Sequence, residues 1–292
     1  MKNFLIILFL ALVVSISSLE DAALRLVNVS PEVVGVFWVP PQSPDYPIQV
    51  VEILPGEGIS LTTFVGHSFV YLLGGERHEV YVASALQPTV VIGPTHFEVE
   101  CTTTTGTLHA HILPEWSPFG AARFLQLVHI GYFDGCALNR VVPNFLTQFG
   151  ISKDFEMRTS FRSKNIMDDD PVEGMQFQPG YMAYAGSGPN SRTTEMFVVM
   201  PNTPAHQLNA FGTNPWETAF GYVEPQDVEA VVSKWYAYGD MPPWGAGPDP
   251  QKIYPEDGYE YLATSFPNMS YIQKCEVISA DYGGENKEGE LQ

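Results

Sequence analysis

One guanidinium in this chain sits among apolar and amide side chains, in Asn139-Arg140-Val141-Val142-Pro143-Asn144-Phe145-Leu146-Thr147-Gln148-Phe149. Downstream come Gly188-Pro189-Asn190-Ser191 and then Phe197 in the apolar run Met196-Phe197-Val198-Val199-Met200. A fixed fork of N–H donors flanked by rings suits one chemical task, gripping a proline and the amide that precedes it. Rotating an X-Pro amide crosses a barrier of roughly 18–20 kcal/mol, although its cis and trans forms differ by only about 0.5–1 kcal/mol. No bond is broken, so acceleration requires only that the twisted amide be bound better than either planar form. In the twist the proline nitrogen loses resonance and becomes basic, and an arginine can hydrogen-bond it or the neighbouring carbonyl. Taken singly, these residues have plainer readings: Arg140 as a solvated or ion-paired strand residue, Phe145 and Phe197 as core.

The elements around them can be read from pattern. Thr105-Gly106-Thr107-Leu108-His109-Ala110-His111-Ile112-Leu113-Pro114 alternates like a strand and its turn. Phe119 to Ile130 places Phe124, Leu125, Leu127 and Val128 on a helical stripe that Gly131-Tyr132-Phe133-Asp134-Gly135 ends. Phe220-Gly221-Tyr222-Val223 reads as a further strand and Val228 to Tyr236 as a short helix. From about Phe97 to Ala280 this order, with the Arg140 and Phe197 segments in it, resembles the cyclophilin-type peptidyl-prolyl cis-trans isomerases. The resemblance implies a closed eight-stranded antiparallel β-barrel capped by two helices. It also implies Arg140 as the catalytic residue, Phe145, Leu146, Ala185, Glu195 and Phe197 as substrate-binding, and Gln148 bonding the substrate backbone.

Departures from the family pattern fall at the site's edges. Asn139 stands where the family usually has His, Glu195 where it has Gln, and Glu217 where a His is usual. A carboxylate at 195 is expected to neutralise Arg140 by a close ion pair, which would weaken activity.

The segment before the barrel reads as a small β-sandwich of short strands parted by Pro and Gly turns. Its strings Asn28-Val29-Ser30-Pro31-Glu32-Val33-Val34 to Trp38, and Pro55-Gly56-Glu57-Gly58 to Gly66-His67, resemble the β-domain of the von Hippel-Lindau tumour suppressor in order and spacing. That domain reads hydroxyproline in a peptide. The resemblance implies Trp38 and Tyr46 as aromatic walls, Thr63 and His67 as partners of the hydroxyl, and Phe69 where the family has Trp. The plain alternative is a sandwich with Trp38 in its core and His67 in a turn.

Met1-Lys2-Asn3, the apolar run Phe4 to Val14 and Ser15-Ile16-Ser17-Ser18 read as a secretory leader cleaved near Ser17 or Ser18, the run being shorter than the roughly 20 residues of a spanning helix. The expected organisation is a leader at 1–18, the sandwich at 19–94, the cyclophilin-like domain at 97–280 and a disordered acidic tail at 281–292. A net charge of -19 argues against nucleic acid and anionic lipid as partners. By the family resemblance Cys101 and Cys275 lie in neighbouring strands, which makes a disulfide between them plausible, and Cys136 is a packed thiol. Asn28 and Asn268 head glycosylation sequons, and Asp168-Asp169-Asp170 reads as a solvated loop rather than a calcium site. No zinc spacing or phosphate-cradling loop is present, so no cofactor or metal is expected. Two classes of function remain: a monomeric prolyl isomerase of the secretory pathway, lumenal or extracellular, acting on proline- or hydroxyproline-containing polypeptides, or a module that binds such chains without isomerising them.

Overall fold

The computed structural model describes residues 20–86 and 88–282 and divides into two compact units, Met1–Gly93 and Pro94–Gln292. The expected leader, and the tail beyond Tyr282, lie outside the described residues. Within those residues no helix is long and apolar enough to cross a membrane.

In the first unit, alternating apolar residues make seven strands: β1 (Asp21–Asn28), β2 (Val34–Val39), β3 (Ile48–Ile53), β4 (Gly58–Phe64), β5 (Ser68–Leu73), β6 (Glu76–Tyr81) and β7 (Val90–Ile92). They form two sheets, ordered β4-β1-β7 and β3-β2-β5-β6. Leu24 and Leu26 of the first sheet meet Val34, Val36, Ile53 and Phe69 of the second in one core. The sequon residue Asn28 is fully buried, and its amide donates to the carbonyls of Glu32 (2.7 Å) and Ile53 (3.0 Å) while its oxygen accepts from the Ser30 amide at 2.9 Å. It is a structural lock on the β1 exit, and the sequon reading fails there because no glycan could reach it.

The second unit has strands β8 (His96–Thr103), β9 (Gly106–Ile112), β10 (Cys136–Ala137), β11 (Arg140–Val142), β12 (Leu146–Phe149), β13 (Tyr181–Tyr184), β14 (Met196–Val199), β15 (Gly221–Val223) and β16 (Tyr271–Asp281). Its helices are α1 (Pro118–His129), α2 (Phe155–Phe161), α3 (Ala205–Leu208), α4 (Pro225–Ala230), α5 (Pro250–Ile253) and α6 (Gly258–Ser265). The nine strands form one curled sheet ordered β10-β16-β8-β9-β15-β13-β14-β12-β11. This corrects the expected closed eight-stranded barrel. Edge strands β10 and β11 do not pair, and the free side of β11 instead meets Gly239 through an isolated bridge at Val141. Cys101 and Cys275 face each other on β8 and β16 and are disulfide-bonded. Cys136 is buried, and burial pushes its thiol up to about 12.

Of the acidic trio only Asp170 is exposed, so the solvated-loop reading fails at Asp168 and Asp169. Asp169 is 3% exposed and accepts from the Phe119 (3.0 Å) and Gly120 (3.1 Å) amides at the start of α1, satisfying donors that a helix leaves unpaired. Its charge is met by the fully buried Arg192 at 3.0 Å. Asp168 accepts from the Asn190 amide at 2.8 Å, so the Gly188–Ser191 turn is tied to the same latch.

Candidate active site

A tight turn aims the guanidinium. Pro143 presets φ, Asn144 takes the left-handed conformation (φ 59), and the Phe145 amide closes back on the Val142 carbonyl at 3.2 Å. The resulting β11–β12 register sets Arg140 opposite Gln148, Gln148 opposite Phe197 of β14, and Phe197 opposite Ala183 of β13. Residues directly opposite share a sheet face, so guanidinium, amide and phenyl ring stand in one row. Two residues along, Leu146 and Val199 continue that face.

The same face is covered by rings. Leu146, Phe177, Ala183, Phe197, Val199 and Ala219 form a buried cluster, with Phe145, Ala185 and Phe211 packed against it. Phe211 stacks on Phe145 with centroids 5.4 Å apart and lies 5.1 Å from Phe197. Arg140 lies over the Phe145 ring at 5.8 Å. Phe211 and Phe177 escape sequence reasoning because they reach the row from loops far along the chain.

The expected Arg140–Glu195 ion pair does not form. Arg140 binds Asp240 through both carboxylate oxygens, Nε at 2.8 Å and Nη2 at 3.2 Å, and its Nη1 donates to Gln148 Oε1 at 3.1 Å. Glu195 instead accepts from Gln148 Nε2 at 2.7 Å and from the Tyr254 hydroxyl at 2.7 Å. Asp240 is reached because the Val141–Gly239 bridge lays its segment along the open edge of β11. Burial pushes the Asp240 carboxyl up, but the hydrogen bond to Arg140 and its charge outweigh this and hold it below the usual carboxylate range. Tyr254 is pushed above the usual phenol range by burial and by the negative charge of Glu195. A guanidinium has five N–H donors, and the three bonds above leave one on each terminal nitrogen. Arg140 keeps 15% side-chain exposure.

Asn139 is 1% exposed, and neither its side-chain oxygen nor its nitrogen has a hydrogen-bond partner. Glu217 ends a short 3-10 turn, and burial raises its carboxyl.

In the first unit, β2 and β5 set Trp38 opposite Phe69, and the Trp38 ring lies 5.6 Å from that of His67. Thr63 Oγ1 and His67 Nδ1 are 3.0 Å apart. Burial holds His67 below its ordinary value, so the ring is neutral at pH 7. Trp38, Thr63 and His67 therefore converge. Phe69 is 5% exposed within the core, and Tyr46 stands 78% exposed.

Comparison with known proteins bears on the second unit. Residues 97–241 match the family model described as cyclophilin type peptidyl-prolyl cis-trans isomerase. Peptidyl-prolyl isomerase CWC27 of Yarrowia lipolytica is 32% identical over 114 residues, covering 37% of this chain and 31% of that protein. Peptidyl-prolyl cis-trans isomerase-like 1 of Gibberella zeae is 28% identical over 103 residues, 35% of this chain and 64% of that one. This chain thus spans less than two thirds of the length of either relative. A crystal structure of a Cryptosporidium parvum cyclophilin type isomerase aligns over 63% of this chain and 98% of its own, at 15% identity and a TM-score of 0.43. With the Arg140 row lying inside the matched residues, the chain carries at 97–241 a domain of the cyclophilin-type peptidyl-prolyl isomerase family.

Proposed function

We propose that this chain catalyses cis/trans exchange at X-Pro bonds of polypeptide clients. The observation that carries the reading is the row Arg140, Gln148, Phe197, walled by Phe145, Leu146 and Phe211. The proline ring packs against the phenyl walls beside Ala185. Arg140, oriented by Asp240 and Gln148, donates to the proline nitrogen as it turns pyramidal. Because Asp240 already offsets its charge, Arg140 acts as a placed donor rather than a bare cation. That favours the twisted amide over either planar form, as differential stabilisation requires.

In the same proposal the first unit binds hydroxyproline-containing segments. Trp38 supplies a ring wall, and the neutral His67, held by Thr63, meets the added hydroxyl. Binding there would raise the local concentration of X-Pro bonds for the second unit. The Cys101–Cys275 bond and the sequence of the leader support work in an oxidising compartment of the secretory pathway, as a monomer.

Proline-peptide exchange measured by NMR with the full chain tests the catalytic reading. Faster exchange with protein than without it is expected. Identical rates would leave a protein that binds proline and hydroxyproline chains without turning them.

A further inference from the structure

The strand alternation that buries Val99, Cys101, Leu108 and Ala110 turns Glu100, His109 and His111 outward from β8 and β9. Opposite them stand Glu224, the residue before α4, and Asp227 in its first turn. We propose that His109, Glu224 and Asp227 bind a divalent transition metal ion of the zinc class.

Ligand atoms of these three side chains all lie within 4.8 Å of one another, from residues that are only partly exposed. Their spacing is set by the backbone. The Glu224 amide donates to the His109 carbonyl at 2.9 Å, the Asp227 amide donates to the Glu224 carbonyl at 2.9 Å, and the His109 amide donates to Asp227 Oδ2 at 2.8 Å. His109 Nδ1 also stands 2.9 Å from that oxygen. One imidazole and two carboxylates make a three-residue set of the sort that holds zinc while leaving a position to water.

A layer of outer groups fits the same reading. His111 Nε2 lies 3.2 Å from Glu224 Oε1, and its other nitrogen lies 2.9 Å from Nε2 of His96, whose ring stacks on it. Such partners orient ligating carboxylates and fix tautomers. Glu100, 3.4 Å from His109 Nε2, is the competing partner of the ligand ring. The ligands come from positions 118 residues apart along the chain, which is why no zinc spacing is visible in the sequence.

Zinc titration of the full chain by calorimetry, after stripping with a chelator, tests the site. One zinc per chain at micromolar concentration is expected, together with a rise in melting temperature. His109→Asn and Glu224→Gln should each weaken binding by about tenfold or more, while His78→Ala, in the first unit, should leave it unchanged. Circular dichroism matching the parent chain checks that each variant is folded, and Glu224→Gln keeps the backbone bonds at the head of α4. Absence of saturable zinc binding would overturn the proposal, as would binding that survives both variants or that is lost with His78→Ala.

Discussion

The two clusters proposed to meet proline and hydroxyproline rings are built in opposite ways. Around Arg140 the polar groups form a chain of bonds: Asp240 to Arg140, Arg140 to Gln148, Gln148 to Glu195, Glu195 to Tyr254. Around Trp38 there is a single side-chain bond, between Thr63 and His67, and the Trp38 indole nitrogen is buried without a partner. The first arrangement fixes a donor before substrate arrives, which is what stabilising a developing charge demands. The second leaves hydrogen-bonding capacity unsatisfied. Unmatched capacity is how a pocket distinguishes two ligands that differ by one hydroxyl, since a buried group left unpaired costs about 1–3 kcal/mol.

The largest effect is expected at the support of the first cluster. Asp169 and Arg192 are almost completely buried and pair at 3.0 Å at the head of α1, while the neighbouring Asp168 ties in the Gly188–Ser191 turn. Asp169→Ala would unpair two amides at the head of α1 and leave Asp168, 3.6 Å away, as the one carboxylate beside the buried Arg192, and should lower stability by about 3 kcal/mol, read by denaturant unfolding. A loss below about 1 kcal/mol, the level of an exposed pair, would mean that the latch does not hold the site. Next comes Arg140→Ala. Removing one preorganised donor typically costs about 100-fold or more in turnover, so NMR exchange should fall by that factor while circular dichroism still reports a folded chain. Retained exchange would sever the row from catalysis.

How much of this could be read from residues alone depends on distance along the chain. The α1 stripe is a local pattern, expected over Phe119 to Ile130 and found at Pro118–His129, and the apolar run that holds Phe197 forms β14. Asp240 was illegible as a partner of Arg140 because it arrives through a one-residue bridge to an open sheet edge. Glu195 turns from Arg140 because the Tyr254 hydroxyl, 59 residues along the chain, shares its carboxylate with Gln148. Asp169 looked solvated because runs of acid usually are, and only the buried Arg192 reverses that. The closed barrel is not formed because β10 and β11 stay unpaired at the two ends of the sheet, and the free edge of β11 meets Gly239 instead.

Asp240→Asn sharpens the contrast from the other side. The side chain keeps its shape but offers one acceptor oxygen in place of two, so Arg140 loses its second tether. Turnover should fall by about tenfold with KM nearly unchanged, the split expected when a positioning group rather than a binding group is altered. The variant also carries a pH signature. The folded Asp240 carboxyl lies below its ordinary 3.8, so its stabilising contribution is complete above that value and is lost as pH falls through the lower folded one. The parent chain should therefore lose stability below about pH 4 more steeply than Asp240→Asn. Parallel acid-unfolding curves would show that the bidentate bond contributes nothing in solution.

The smallest effect belongs to the second cluster, where the comparison is most easily broken. Trp38→Ala removes the ring wall beside His67, and Thr63→Val removes the hydroxyl that holds the imidazole. If the cluster reads the added hydroxyl, the parent chain should bind a hydroxyproline peptide about tenfold more tightly than its proline twin, the ratio that one satisfied hydrogen bond supports. Trp38→Ala should weaken both peptides, since it takes away contact that either ring uses. Thr63→Val should erase the ratio while sparing proline binding, because valine keeps the volume and loses only the hydrogen bond. Fluorescence polarisation with the two peptides separates these outcomes. Equal affinities in the parent chain would reduce Trp38, Thr63 and His67 to the packing of a sandwich, leaving the Arg140 row as the sole proline-directed feature of the two.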